Sequence, residues 1–191
     1  MDTRNPLFAL MVERSNTAPK RLVAPGPTHE QLQLIFSAAA QAPDHGRIRP
    51  WRFVLVPSHK REDLGQAFVQ ALQMRDIQAG PAQLQAAYEK AFRAPCLMLG
   101  VLDTAPVQAE IEASERLISL GCAVQNMLLM AQTLGLGSGI TSGKAMNAPS
   151  LRSLFQLTEH EQGVCFLNFG TVSTTKPARS RPVVEEFVSS L

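Results

Sequence analysis

The 191-residue chain has almost no charge imbalance: 18 Lys and Arg face 16 Asp and Glu, a formal +2. Its basic residues are dispersed in small groups near 14–21, 47–52, 60–61 and 176–181, and none lines one helix face. That excludes the basic surface nucleic-acid binding requires, while leaving room for a local anion site. Cys96, Cys122 and Cys165 form no CxxC pair, which excludes a zinc knuckle or a thioredoxin motif. Each lies in an apolar segment and reads as a small buried hydrophobe. An odd cysteine count with no signal peptide points to the cytoplasm. The four histidines make no HxxxH or HExxH, so no metal is expected. There is also no P-loop and no GxSxG nucleophile elbow. Asp44 and His45 are adjacent in sequence, which does not make them a hydrolytic dyad. One uncharged run, "LISLGCAVQNMLLMAQTLGL" at 117–136, has the length of a membrane span. Gln125, Asn126 and Gln132 would then face lipid, so it is expected to be the central buried helix of a globular fold, with no membrane partner.

With 45% hydrophobic and 18% charged residues, the composition is that of a globular chain, and the length that of one domain, 1–191. Residues 5–13 predict a short helix with Asn5 as N-cap and Pro6 in the first turn. Residues 28–41 predict a helix opened by Thr28 with Gln31 completing a capping box, and stopped by Pro43. Residues 51–56, 96–102 and 163–170 read as buried strands. Residues 60–75 and 81–92 read as amphipathic helices and 149–155 as a short one. The stretch "GLGSGITSG" at 135–143 lacks the strand that must precede a dinucleotide fingerprint. A helix C-cap at Gly135, then a tight turn and a strand, is expected instead. The order is that of a mixed α and β layer fold. The tail from about 173 is basic, proline-interrupted and then apolar, and is expected to pack across a second subunit.

"RSNTAPKR" supplies Arg14, Ser15 and two further bases after the first helix. A guanidinium fork and a hydroxyl suit a phosphate monoester, and Lys176, Arg179 and Arg181 would add charge. A solvated surface patch is the alternative, and the residues alone do not choose between them.

Four words in order carry a resemblance: "ERSNTAPKRL" at 13–22, "APDHGRIRPWRF" at 42–53, "SLGCAVQNMLLMAQTLGLGSGITSG" at 119–143 and "FLNFGTV" at 166–172. The chain resembles the nitroreductase family of FMN-dependent oxidoreductases, and within it the short YdjA-type subgroup. The resemblance implies an α+β fold with a central, mostly antiparallel sheet flanked by helices. It implies an intertwined homodimer with C-terminal tail exchange and FMN in the interface. Carried over, Arg14 and Ser15 bind the phosphate and ribityl chain, with Lys176 as a further phosphate contact. Gln41 and His45 reach the flavin from the other chain; for His45 a loop-capping hydrogen bond is the alternative. Ile140, Thr141 and Ser142 line the flavin, with Gly170 nearby.

Arg49, and after it Arg47, would place a guanidinium at the flavin's N1 and O2 edge and raise its potential. An ion pair with Asp44 or Glu62 is the alternative for either. NAD(P)H would be the reductant and a small oxidising molecule, a nitroaromatic or quinone, the second substrate of a ping-pong reaction. No obligate catalytic side chain is implied. The helices at 60–92, the least core-like, would form the substrate-side wall. Alternatives are an FMN-binding or sensing protein with little turnover, or a same-fold flavoenzyme with another reaction. The chain departs from the family pattern at Glu13, Arg47, Arg49, Ile140 and Thr141.

Overall fold

The computed structural model describes residues 5–105, 110–175 and 180–191. Its organising element is the last strand, β5 (Glu161–Val172), which is paired along both edges. On one side lies β3 (Cys96–Asp103), in register from Cys96 opposite Phe169 to Asp103 opposite Glu161. On the other lies β4 (Gly137–Thr141), with Gly137 opposite Gly170, while the two-residue β1 (Leu22–Val23) pairs with the last residues of β5, Leu22 opposite Val172. β2 (Trp51–Leu55) adds to the far edge of β3. Every pairing is antiparallel, so the expected α+β sheet is present.

Alternation along β3 divides the core in two, because successive strand side chains face opposite ways. Met98 and Leu102 join Cys165, Leu167 and Phe169 of β5 under two helices, α2 (His29–Ala39) and α5 (Ala113–Thr133). Leu97, Leu99 and Val101 join Phe166 under α3 (Arg61–Arg75) and α6 (Pro149–Leu154). The remaining helices, α1 (Pro6–Glu13) and α4 (Pro81–Tyr88), lie outside these two clusters.

The local signals act where they stand in the sequence. The Asn5 side chain accepts the Leu7 and Phe8 amides, and Thr28 with Gln31 closes a capping box on α2. Gly135, at φ +74°, ends α5. Its amide bonds the Gln132 carbonyl and the Leu136 amide bonds that of Ala131, the paired bonds of a Schellman cap.

Three expectations need correction. β2 is not a buried strand: it is the sheet edge, and Arg52 and Leu55 are exposed. β5 extends two residues beyond 163–170 at each end because its ends find partners in β3 and β1. α5 buries one face, through Leu120, Ala123, Met127 and Ala131, but exposes Leu117 and Ile118 on the other. No helix among the described residues is long and apolar enough to cross a membrane.

One buried cation fixes the layer over β3. The Arg61 guanidinium donates to the carbonyls of Val56 (3.1 Å), Ala91 (2.7 Å) and Pro95 (3.2 Å). Burial lowers its pKa, but three carbonyls replace the lost water. The turn at 89–95 is thereby tied to the start of α3.

Burial pushes the Cys96 and Cys165 thiols up to about 11, so almost no thiolate forms at pH 8. A thiol-reactive disulfide reagent is expected to titrate at most one cysteine per native chain, the half-buried Cys122. All three should react in guanidinium chloride; rapid reaction of two or more native thiols would contradict this packing.

Candidate functional site

The Schellman cap turns the chain directly into β4, whose first residues are small: Gly137, Ser138 and Gly139. The segment after α1 runs against their free edge. The Thr17 amide donates to the Ser138 carbonyl (2.8 Å), and the Asn16 side chain accepts the Ile140 amide (2.7 Å). A Cβ on Gly139 would overlap the Thr17 carbonyl oxygen. Only glycine therefore admits this backbone contact. Beneath it, buried Asn168 of β5 donates to the Gly139 carbonyl and the Thr141 hydroxyl, both at 3.2 Å.

Through the Asn16–Ile140 bond, which spans 124 residues, this joint brings two segments together: that of Arg14 and Ser15 on one side, that of Ile140, Thr141 and Ser142 on the other. Arg14 is half-buried, and Arg181 from the tail donates to its carbonyl (3.4 Å). Burial first, then the neighbouring Arg181 charge, hold the Arg14 guanidinium below the usual arginine range. Among the described residues no carboxylate pairs with either. Two neighbouring guanidiniums and an exposed serine hydroxyl are donors of the kind that phosphate monoesters take. Glu13 is exposed at the end of α1.

Two cavities flank the joint. The smaller, about 190 Å³, is lined by Ser15, Thr17, Gln132 and Gly135–Ser138. The larger, about 270 Å³, opens from Thr141 and Ser142 towards Phe68, Phe166 and Asn168. Its rim carries Arg75, Lys90, Arg93 and Lys144, none of which was singled out from the sequence. Those four are spread over three segments, so no motif announces them.

Gln41, His45, Arg47 and Arg49 lie elsewhere, in the loop leading into β2 at the opposite edge of the sheet. There the His45 Nδ1 bonds the Glu115 carboxylate (2.7 Å) at the start of α5. That bond holds the Glu115 carboxyl below its usual range. His45 therefore uses a side-chain partner rather than a backbone cap. Asp44 Oδ2 accepts the Arg49 amide (2.8 Å). The expected alternative, a pairing of Asp44 or Glu62 with the Arg47 or Arg49 side chain, is not formed among the described residues. Gly46, Arg47 and Arg49 have φ of 67°, 55° and 44°, an unusual run for two non-glycine residues. Lys176 and Arg179 fall outside the described residues.

The sequence pattern described as "Nitroreductase family" matches residues 21–171. A Haemophilus influenzae protein named "Putative NAD(P)H nitroreductase" is 33% identical over 165 residues, 86% of this chain and 87% of its own length. "Putative NAD(P)H nitroreductase YdjA" of Escherichia coli K12 is 34% identical over 164 residues, 85% of this chain and 86% of its own. The crystal structure of a nitroreductase-like family protein from Bacillus cereus superposes with a TM-score of 0.84 at 19% identity. It covers 100% of this chain and 98% of its own. A nitroreductase with bound FMN from Desulfitobacterium hafniense superposes with a TM-score of 0.71 at 19% identity, covering 98% of each chain. Both likenesses support the fold.

Gly139→Ala forces a methyl group into the Thr17 carbonyl. It is expected to cost about 1–3 kcal/mol of stability, as overpacking does. Amide exchange at Thr17 and Ile140 should rise with it. Unchanged exchange at both amides would refute the joint.

Proposed function

From the premise that this chain belongs to the nitroreductase family, and so is an oxidoreductase, we propose that it uses NAD(P)H and bound FMN to reduce a nitroaromatic or quinone by a ping-pong cycle. The observation that carries the FMN assignment is the Arg14–Arg181 pair, unneutralised beside the joint of 14–17 with β4. A phosphate monoester would relieve the repulsion and use the Ser15 hydroxyl. The family match begins at residue 21, so for Arg14 and Ser15 this donor chemistry supports the reading independently.

Bound FMN would supply the redox chemistry, hydride uptake and two-electron donation. The protein's tasks are to bind, orient and exclude water. Arg14, Ser15 and Arg181 hold the phosphate, with Lys176 as a further contact. Ile140, Thr141 and Ser142 line the ring where β4 ends. Asn168 fixes that end through the Thr141 hydroxyl and the Gly139 carbonyl.

The second part of the reading is an intertwined homodimer in the cytoplasm. α5 exposes Leu117 and Ile118, and the tail exposes Val183, Val184, Phe187 and Val188. Apolar surface of this extent marks an interface more often than a free face. In that dimer Gln41 and His45 reach the partner's flavin. Glu115 orients the His45 ring through Nδ1. Arg47 and Arg49, on the same loop, supply positive charge to the reduced flavin.

Purified protein is expected to show flavin absorbance that bleaches on anaerobic addition of NADPH or NADH. Persistent bands would favour a sensing role, and no colour after adding FMN would remove the cofactor. Arg14→Gln should weaken FMN binding about ten- to a hundredfold, the effect of one charge-assisted hydrogen bond. Truncation after Thr175 should leave a monomer or insoluble protein; a soluble dimer would exclude tail exchange.

A further inference from the structure

The larger cavity is more specific than a general nitroaromatic or quinone site requires. Its floor is apolar and aromatic: Phe68 and Phe166 meet edge to face at 5.7 Å, beside Leu97 and Met146. Its rim is cationic. Arg75 ends α3, Lys90 and Arg93 project from the 89–95 turn, and Lys144 follows β4. All four are exposed, and none has an ion-pair partner among the described residues. No acidic side chain lines the cavity among those residues. The nearest carboxylates in sequence are otherwise engaged: Asp76 accepts the Gln78 amide, and Glu89 accepts the Gln85 side chain.

Such clustering is costly unless something neutralises it, because like charges around a low-dielectric wall reinforce one another's field. The chain nevertheless fixes it in place. The 89–95 turn is tied to the start of α3 by the buried Arg61 guanidinium, so two of the four cations stand on a rigid mount. The volume, about 270 Å³, lies at the small end of ligand cavities and suits one aromatic ring with a substituent.

We propose that the oxidising substrate is an anionic aromatic: a single ring that lies on the Phe68–Phe166 floor, with a carboxylate or phosphate group held by Arg75, Lys90, Arg93 and Lys144. This rests on the flavin oxidoreductase reading and narrows its substrate class. For a nitro compound the balance is ArNO₂ + NAD(P)H + H⁺ → ArNO + NAD(P)⁺ + H₂O. The anionic group takes no part in the electron transfer. It fixes the ring and is read by charge.

The test compares 4-nitrobenzoate with the neutral 4-nitrobenzyl alcohol as acceptors for the FMN-loaded protein, at low and high salt. The native protein should prefer the carboxylate by about tenfold in kcat/KM, the sum of a few partly exposed ion pairs. The preference should shrink in 0.5 M salt, as screening requires. Arg75→Gln with Lys144→Gln should abolish it through KM, with the melting temperature unchanged or raised.

Equal kcat/KM for the two acceptors in the native protein would overturn the proposal while leaving the flavin reading intact. So would a double variant that changes only the KM for NADPH, which would assign the cations to the reductant's 2′-phosphate. A double variant that only releases FMN would assign them to the cofactor, again against the proposal. Should the protein prove to hold no flavin, the oxidoreductase reading fails first. Equilibrium dialysis of the two nitro compounds then still decides whether the cavity selects an anion.

Discussion

A backbone contact with no room for a methyl group holds the site together. The Thr17 carbonyl lies where a Cβ of residue 139 would be, and the 14–17 segment bonds to both Ser138 and Ile140. Remove that approach and Arg14 and Ser15 lose their fixed distance from Thr141 and Ser142. The contact is supported from three sides. The Schellman cap at Gly135 sets the direction of β4, β5 pairs with it from Gly137 to Thr141, and Asn168 ties its end from below. The cap is local, but the pairing with β5 and the joint itself link residues far apart in sequence.

How much of this was legible in the sequence follows from where the determining interactions lie. Caps and turns are local, so Asn5, Thr28 with Gln31, and Gly135 act as their residue types predict. The apolar run of β3 also reads correctly, because a strand covered on both faces needs no alternation. β1 was not legible: two residues carry no period, and they become a strand only by lying against Val172 and Thr171. The edge position of β2 was hidden for a related reason. "WRFVL" is as apolar as an inner strand, and only the sheet order exposes Arg52 and Leu55. The site divides the same way. Arg14, Ser15 and Ile140–Ser142 were read from two motifs, and the two segments that carry them are joined by the Asn16–Ile140 bond. Asn16, Thr17 and Asn168, which join them, are polar residues whose partners lie on other strands. The region 60–92, expected to form a substrate-side wall, contributes Phe68, Arg75 and Lys90 to the larger cavity; that this cavity takes the substrate is the proposal.

The near-zero net charge conceals a strongly uneven distribution. Carboxylates are spent on structural partners: Glu161 on Arg52, Asp63 on Lys60, Glu115 on His45. Six cations without an ion pair among the described residues flank the joint, Arg14 with Arg181 on one side and the four of the cavity rim on the other, while Arg47 and Arg49 lie apart at the opposite sheet edge. A formal +2 is therefore compatible with a locally cationic site. The two clusters divide the proposed work: one holds a phosphate, the other reads the charge of a substrate. Arg61 belongs to neither, since its three guanidinium nitrogens each donate to a backbone carbonyl and tie the 89–95 turn to the start of α3.

The central claim is that the joint of residues 14–17 with β4 builds a phosphate cradle. The direct test measures the affinities of FMN and of riboflavin, which lacks the phosphate, for the native chain and for Gly139→Ala. The account predicts that the native protein binds FMN at least about a hundredfold more tightly than riboflavin, as two charge-assisted contacts would give. In the folded variant that gap should collapse, with riboflavin affinity little changed. A folded Gly139→Ala protein that keeps the full FMN preference would contradict the account and place the phosphate elsewhere on the chain.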